Sequence, residues 1–275
     1  MFFYLEIKES LHHSLDQPSC SDFVQFEFVG GYKVKIGVIT DIHNNIDALN
    51  AVLDELYSLG VEKIVCSGDI IGIGPRPEET VNRIMFLQDN IECVRGNHDN
   101  YLINGIPIAV PNDEMMDYGE MEHHKWEHRK LSQESINFIK ALPYTKILKI
   151  CGKTIYISHY SINEDSKYVN YTSNPSLDDL KTMFQNVEAD IIVYGHNHAP
   201  SINRESNKWY INSGSLGCPA GNINIARAGV IDINEENIIY QELNVSYDVK
   251  KVIEDIKNIK YPEFENILKY FYGIS

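Results

Sequence analysis

Three short apolar runs end just ahead of residues able to bind a cation. Residues 34–40, 64–66 and 91–94 lead into Asp41, Asp69 and Asn97 respectively. The steps from Asp41 to Asp69 and from Asp69 to Asn97 are both 28 residues. That is the length of one strand-plus-helix unit, so the strands run parallel and the three polar residues emerge on one edge of a sheet. Helical patterns fill the intervals. Residues 47–59 place Ala48, Val52, Leu56 and Leu59 on one side with Gly60 as a stop, and residues 77–87 open on Pro77 and two acids. Open α/β sheets bind ligands at this carboxyl edge.

Beyond that core the rhythm changes. Residues 100–146 read as a helical insertion, with a helix over 118–142 anchored by Leu131, Ile136, Phe138 and Ile139 and stopped by Pro143. Strands follow near 154–158 and 191–194, separated by a helix starting near Ser176. Residues 203–233 read as turn-rich, and a polar helix over 249–272, interrupted at Pro262, closes the chain. Residues 1–32 form an N-terminal extension: Val24, Phe26 and Phe28 alternate as in an edge strand, but the segment is expected to add nothing to the chemistry. The domain is therefore 33–275.

The cation-binding residue types all fall at strand ends. They are Asp41-Ile42-His43, Gly68-Asp69, Gly96-Asn97-His98-Asp99, His159 and Gly195-His196-Asn197-His198. Any one of them alone reads as a turn or as surface decoration. Together and in order they form a donor set of carboxylates, an amide oxygen and imidazoles, which suits ions of intermediate hardness such as Mn, Fe, Zn or Co.

This ordered set resembles the calcineurin-like metallophosphoesterases, whose motifs are D-x-H, G-D, G-N-H-D/E, an isolated His and G-H-x-H. Residues 68–75, Gly-Asp-Ile-Ile-Gly-Ile-Gly-Pro, and residues 212–219, Asn-Ser-Gly-Ser-Leu-Gly-Cys-Pro, are similar to stretches of a small prokaryotic phosphodiesterase-like branch. The resemblance covers roughly residues 34–260. It implies an αββα four-layer sandwich, two packed mixed sheets flanked by helices. It also implies two divalent ions, Mn foremost with Fe, Zn, Ni or Co as alternatives. Asp41, His43, Asp69 and His198 would hold one, and Asp69, Asn97, His159 and His196 the other, with Asp69 bridging. His98 matches the catalytic histidine. Tyr160 departs from the family, which commonly has Gly after the isolated His, and it is a candidate for narrowing the pocket or stacking on substrate.

The chemistry suits such a set. Two cations about 3.5–4 Å apart hold a hydroxide between them and clamp the phosphoryl group. A histidine then assists the leaving oxygen. The expected activity is hydrolysis of a phosphate ester, monoester or diester, on a small phosphorylated or nucleotide-like substrate. A serine/threonine protein phosphatase and a non-catalytic metal-binding scaffold are the alternatives. Arg95, directly before the third motif, is the best placed of the arginines for a phosphate contact, although arginines are more often solvated. His123, His124 and His128 read as a solvated or cap-lining helix face, His12 and His13 as bystanders, and Trp126 and Trp209 as packing.

Composition sets the outer limits. The net charge is −15, which argues against tracking a long nucleic acid. No stretch reaches the roughly 18 apolar residues of a membrane span. The five cysteines show no C-x-x-C spacing and read as thiols of a reducing compartment, pointing to the cytoplasm. The sequon at residues 170–172 is noise there. An oligomer is open, since the apolar N-terminal patches could join subunits.

Overall fold

Parallel pairing brings Ile39, Cys66 and Cys93 side by side. The equal spacing of the three motifs is therefore a sheet register. The structure is a computed structural model and describes residues 23–25, 33–106, 118–163, 168, 172–219 and 221–274. The rest of the N-terminal extension, with His12 and His13, lies outside the described residues, as do the first two residues of the sequon.

In chain order the elements are β1 (Phe23–Gln25), β2 (Val34–Ile39), α1 (Ile46–Ser58), β3 (Lys63–Cys66), α2 (Pro77–Phe86), β4 (Ile91–Cys93) and α3 (Asn97–Asn104). Then come α4 (Tyr118–His128), α5 (Gln133–Ala141), β5 (Thr145–Ile150), β6 (Lys153–Ser158), α6 (Leu177–Met183) and β7 (Ile191–Val193). The chain finishes with β8 (Ser201–Glu205), β9 (Lys208–Asn212), β10 (Ile225–Ile233), β11 (Ile238–Ser246), α7 (Val249–Ile259) and α8 (Phe264–Tyr272).

Two mixed sheets pack face to face. One has the order β1-β5-β6-β7-β9-β8 and the other β11-β10-β2-β3-β4. Their shared core is β-branched: Val34, Ile36, Val38, Val65, Ile155, Ile157, Ile191, Val193, Ile211 and Ile231 are all buried between them. Such runs suit strands covered on both faces. Helices α1, α2 and α5 cover the outer face of the five-stranded sheet, and α6 covers the other through Leu180 and Phe184. In α1, Val52, Leu53 and Leu56 are fully buried, each contributing about 1.5–3 kcal/mol. Asn45 starts that helix by accepting the Ala48 N–H at 3.1 Å. The result is the four-layer αββα sandwich. Among the described residues no helix is long and apolar enough to cross a membrane.

Several elements differ from the expectation. The helix expected over 118–142 is two, because Ser132 accepts the Ser135 N–H and starts α5 afresh. The turn-rich stretch 203–233 is mostly sheet: β8 and β9 form a hairpin, and β10 pairs antiparallel with β11 along its length and with β2 from Gly229 to Ile233. Residues 97–104 form a helix that the sequence reading missed. β1 lies parallel to β5, so part of the N-terminal extension adds an edge strand.

Candidate metal centre

The loops after β2, β3, β4, β6 and β7 converge at one end of the sandwich. Their backbone is unusual there: Asp41, His43, Asp69 and His196 all have positive φ, between 47° and 71°. Asp and His tolerate this region better than most side chains, yet such positions persist only where the surroundings fix them. Here they follow the ends of β2, β3 and β7. The Gly96 position is also forced, since a Cβ there would sit 2.0 Å from Asp69 Oδ1. A Cβ at Gly195 would sit 2.1 Å from Thr40 Oγ1.

The structure brings Asp41, His43, Asp69, Asn97, His98, His159, His196 and His198 together. They form two groups of donor atoms. In one, Asp41 Oδ1 lies 3.7 Å from both His43 Nε2 and His198 Nε2, and those two nitrogens are 3.1 Å apart. In the other, Asn97 Oδ1 lies 3.0 Å from His159 Nε2 and 2.9 Å from His196 Nδ1. Asp69 stands between the groups, with Oδ2 3.2 Å from His159 Nε2 and 3.9 Å from His43 Nε2.

This arrangement fits cations better than it fits itself. Asp41 Oδ1 is buried without a hydrogen-bond partner among the described residues. Two imidazole nitrogens 3.1 Å apart share at most one proton in a good hydrogen bond, while a cation would use both lone pairs. The far ring nitrogens are already committed: His159 Nδ1 meets the Ser67 carbonyl at 2.8 Å and His43 Nδ1 the Ile71 carbonyl at 3.3 Å. Such bonds fix the tautomer that leaves Nε2 free for a metal.

The electrostatics follow from burial and proximity. Burial alone would raise the Asp69 carboxyl, but His159, His98 and His43 outweigh it and hold it well below the usual range. Burial would lower His159, yet Asp69 beside it pushes it up to about 10. His196 and His198 are drawn down to about 4, chiefly by burial. Burial also takes the half-buried His98 imidazole well below its ordinary value, with Asp69 opposing. Any further anion beside it would work in the same direction as Asp69.

Residues outside the expected ligand set hold it in place. Thr40 Oγ1 donates to Asp41 Oδ2 at 2.7 Å, and the His196 N–H donates to the same oxygen at 3.1 Å. Ser215 Oγ and the Gly217 N–H both donate to the Asp41 carbonyl, so the 212–219 stretch buttresses Asp41. Asn212 donates to the Asn197 carbonyl at 2.7 Å, fixing the loop between His196 and His198. Asp99 accepts from Gly96, Ile70 and Ile71 N–H groups, capping α3 against the loop after β3. Asp99 is the third residue of α3.

Residues 34–236 match the calcineurin-like phosphoesterase superfamily domain. The chain belongs to that superfamily. It is 32% identical to the uncharacterized protein MJ0912 of Methanocaldococcus jannaschii over 84% of this chain and 96% of that one. It is 23% identical to the phosphodiesterase YfcE of Escherichia coli over 76% of this chain and 97% of that one. Among solved structures, the hypothetical protein PH1004 of Pyrococcus horikoshii superposes with a TM-score of 0.73 at 22% identity, over 88% of this chain and all of that one. The clustered His and Asp side chains on the calcineurin-like fold are those of a metal-dependent hydrolase.

The other candidates lie around this centre. Arg95 donates from Nε to the Leu142 carbonyl at 2.6 Å and its guanidinium sits 4.6 Å from the Tyr144 ring centroid, so it is engaged with the turn before β5. Tyr160 is buried beside His196, ring centroids 5.1 Å apart, and its hydroxyl accepts the Thr172 N–H at 2.7 Å. The histidines of α4 are not a solvated face: His123 and His124 are buried, and the His124 ring centroid is 5.0 Å from that of His98. Glu127, buried with them, accepts from the Gly72 N–H and the Asn44 amide and so ties α4 to the loops after β2 and β3. Trp126 stacks on Tyr261 with centroids 4.7 Å apart.

Proposed function

We propose that this chain is a phosphodiesterase or phosphomonoesterase acting on a small phosphorylated or nucleotide-like substrate with two divalent ions, Mn²⁺ foremost. The observation that carries this is Asp69, one carboxylate standing between two histidine-rich donor groups. Asp41, His43, Asp69 and His198 would hold one ion, and Asp69, Asn97, His159 and His196 the other. When bound, such a pair supplies an activated water and charge stabilisation for the phosphoryl oxygens.

The chain's own residues do the rest. Asp69 sets the separation of the two groups, and Ser67 and Ile71 carbonyls orient His159 and His43. His98 lies against His43, ring centroids 5.0 Å apart, where it can hand a proton to the leaving oxygen. Tyr160 forms a wall beside His196. The similarity to a protein named as a phosphodiesterase favours the diester side of the reading. We treat residues 33–275 as the working unit, in the cytoplasm, with the buried thiols of Cys66, Cys93, Cys151 and Cys218 reduced.

The test is hydrolysis of p-nitrophenyl phosphate beside bis-p-nitrophenyl phosphate with Mn²⁺, using Asp69→Ala as control. Mn²⁺-dependent turnover that disappears in the control supports the reading, and the ratio of the rates sorts monoester from diester. Tightly bound ions with no turnover on either substrate would favour a metal-binding scaffold instead.

A further inference from the structure

Helix α4 buries a polar face. Its buried residues are His123, His124 and Glu127, while its apolar Met121 and Trp126 are only partly covered. His124, Glu127 and His128 stand at i, i+3 and i+4 and so share one side of the helix. One donor atom from each lies within 4.8 Å of the other two. His124 Nδ1 is 3.3 Å from Glu127 Oε2. Glu127 Oε1 is already occupied by the Gly72 and Asn44 donors, which leaves Oε2 as the oxygen facing the imidazoles.

Two atoms of the cluster are unaccounted for. His124 Nε2 and His128 Nε2 are buried without a hydrogen-bond partner among the described residues. A buried polar group left unpaired is costly to the fold. A proton shared between His124 Nδ1 and Glu127 Oε2 would leave both His124 Nε2 and His128 Nε2 unexplained. A cation would engage all three side chains. Two histidines one helical turn apart with a carboxylate on the same face are a chelating set for zinc-like ions, and their imidazoles disfavour Mg²⁺ and Ca²⁺.

We propose that His124, Glu127 and His128 form a third divalent-cation site, distinct from the pair at Asp69, taking an ion of the Zn²⁺ class. It would hold Glu127, whose other oxygen ties α4 to the loops after β2 and β3, in place. It also sets a further positive charge next to His98, through the 5.0 Å contact between the His98 and His124 rings. The binding claim stands apart from the phosphoesterase reading, and only the effect of the charge on His98 depends on it.

The experiment counts ions. The full chain is stripped with chelator, reloaded with Zn²⁺, dialysed, and its zinc per chain measured by mass spectrometry. His128→Ala and His128→Gln are chosen because His128 is only partly buried and both should fold, which circular dichroism in chelator checks. One zinc fewer in each variant than in the parent is the expected result. Asp69→Ala should keep the α4 ion, and Asp69→Ala combined with His128→Ala should lose it. A zinc count unchanged by both His128 substitutions overturns the site. Failure of the binuclear reading shows separately, as a count that Asp69→Ala does not lower.

Discussion

The backbone N–H of His98 donates to Asp69 Oδ1 at 2.9 Å. The first turn of α3 is thereby joined to the carboxylate between the two donor groups, and Oδ2 is left to face His159 and His43. Because the bond comes from the main chain, replacing the His98 side chain leaves it intact. His98→Ala should keep the metal content of the parent and lose about 10²–10⁴-fold in turnover, the usual worth of a general acid. Metal analysis beside steady-state rates separates the two effects. Full activity in His98→Ala would remove this side chain from the mechanism.

Gly96 is the other half of that junction. A methyl group there would meet Asp69 Oδ1 at 2.0 Å and Asp69 N at 2.4 Å, closer than any Cβ contact allows, so something must shift. Gly96→Ala should cost about 1–3 kcal/mol of stability by overpacking, and weaken metal retention at the same time. Urea unfolding with and without Mn²⁺ checks both. Parent-like stability in both conditions would show that the loop relaxes freely.

The sequence made this edge legible because its information is local. Each apolar run specifies a strand, each Gly-Asp or Gly-Asn marks where it ends, and the pairing of Ile39 with Cys66 and Cys66 with Cys93 turns equal spacing into adjacency. Elements defined by distant partners were harder to see. α3 starts where Asp99 caps Gly96 and also takes the Ile70 and Ile71 N–H groups, a fact of tertiary structure. β10 carries Arg227 and Asp232 yet lies between β2 and β11 in the sheet. His124 and Glu127 look solvated by residue type, and only their contacts with His98, Asn44 and Gly72 put them inside. Polar residues buried by remote loops leave no periodic trace in the chain.

Glu92 supplies a pH-dependent link away from the metal centre. On β4 it pairs with Lys63 of β3 at 2.7 Å and with Lys146 of β5, so it joins the two sheets. Burial would raise its carboxyl, but the hydrogen bonds from Lys146 and Lys63 prevail and lower it. A lowered folded-state value stabilises above the unfolded carboxyl value, near 4.3 for a free Glu, and the benefit is lost as pH falls through the folded value. Glu92→Gln should therefore be less stable than the parent by about 1–3 kcal/mol at pH 7. The gap should narrow as the solution is acidified below pH ~4. Denaturant midpoints across pH measure it, and a gap independent of pH would assign the loss to packing alone.

Thr40 offers the most selective probe of how the centre is held. Asp41 Oδ2 accepts from Thr40 Oγ1 and from the His196 N–H, while Oδ1 is buried with no donor among the described residues and faces His43 and His198. The two oxygens thus divide their work: one is fixed by the protein and the other is left for a cation. Thr40→Val keeps the shape of the side chain and removes one of the two donors. Asp41 should then be less firmly oriented, and affinity for the ion at Asp41, His43 and His198 should fall about 10–100-fold. The His196 N–H would remain, so the loop after β7 should keep its place and the fold its stability to within about 1–2 kcal/mol. Competition with a chelator of known affinity reads the first effect and thermal melting in chelator reads the second. Unchanged metal affinity in a well-folded Thr40→Val would mean that the His196 N–H alone is enough to aim Asp41.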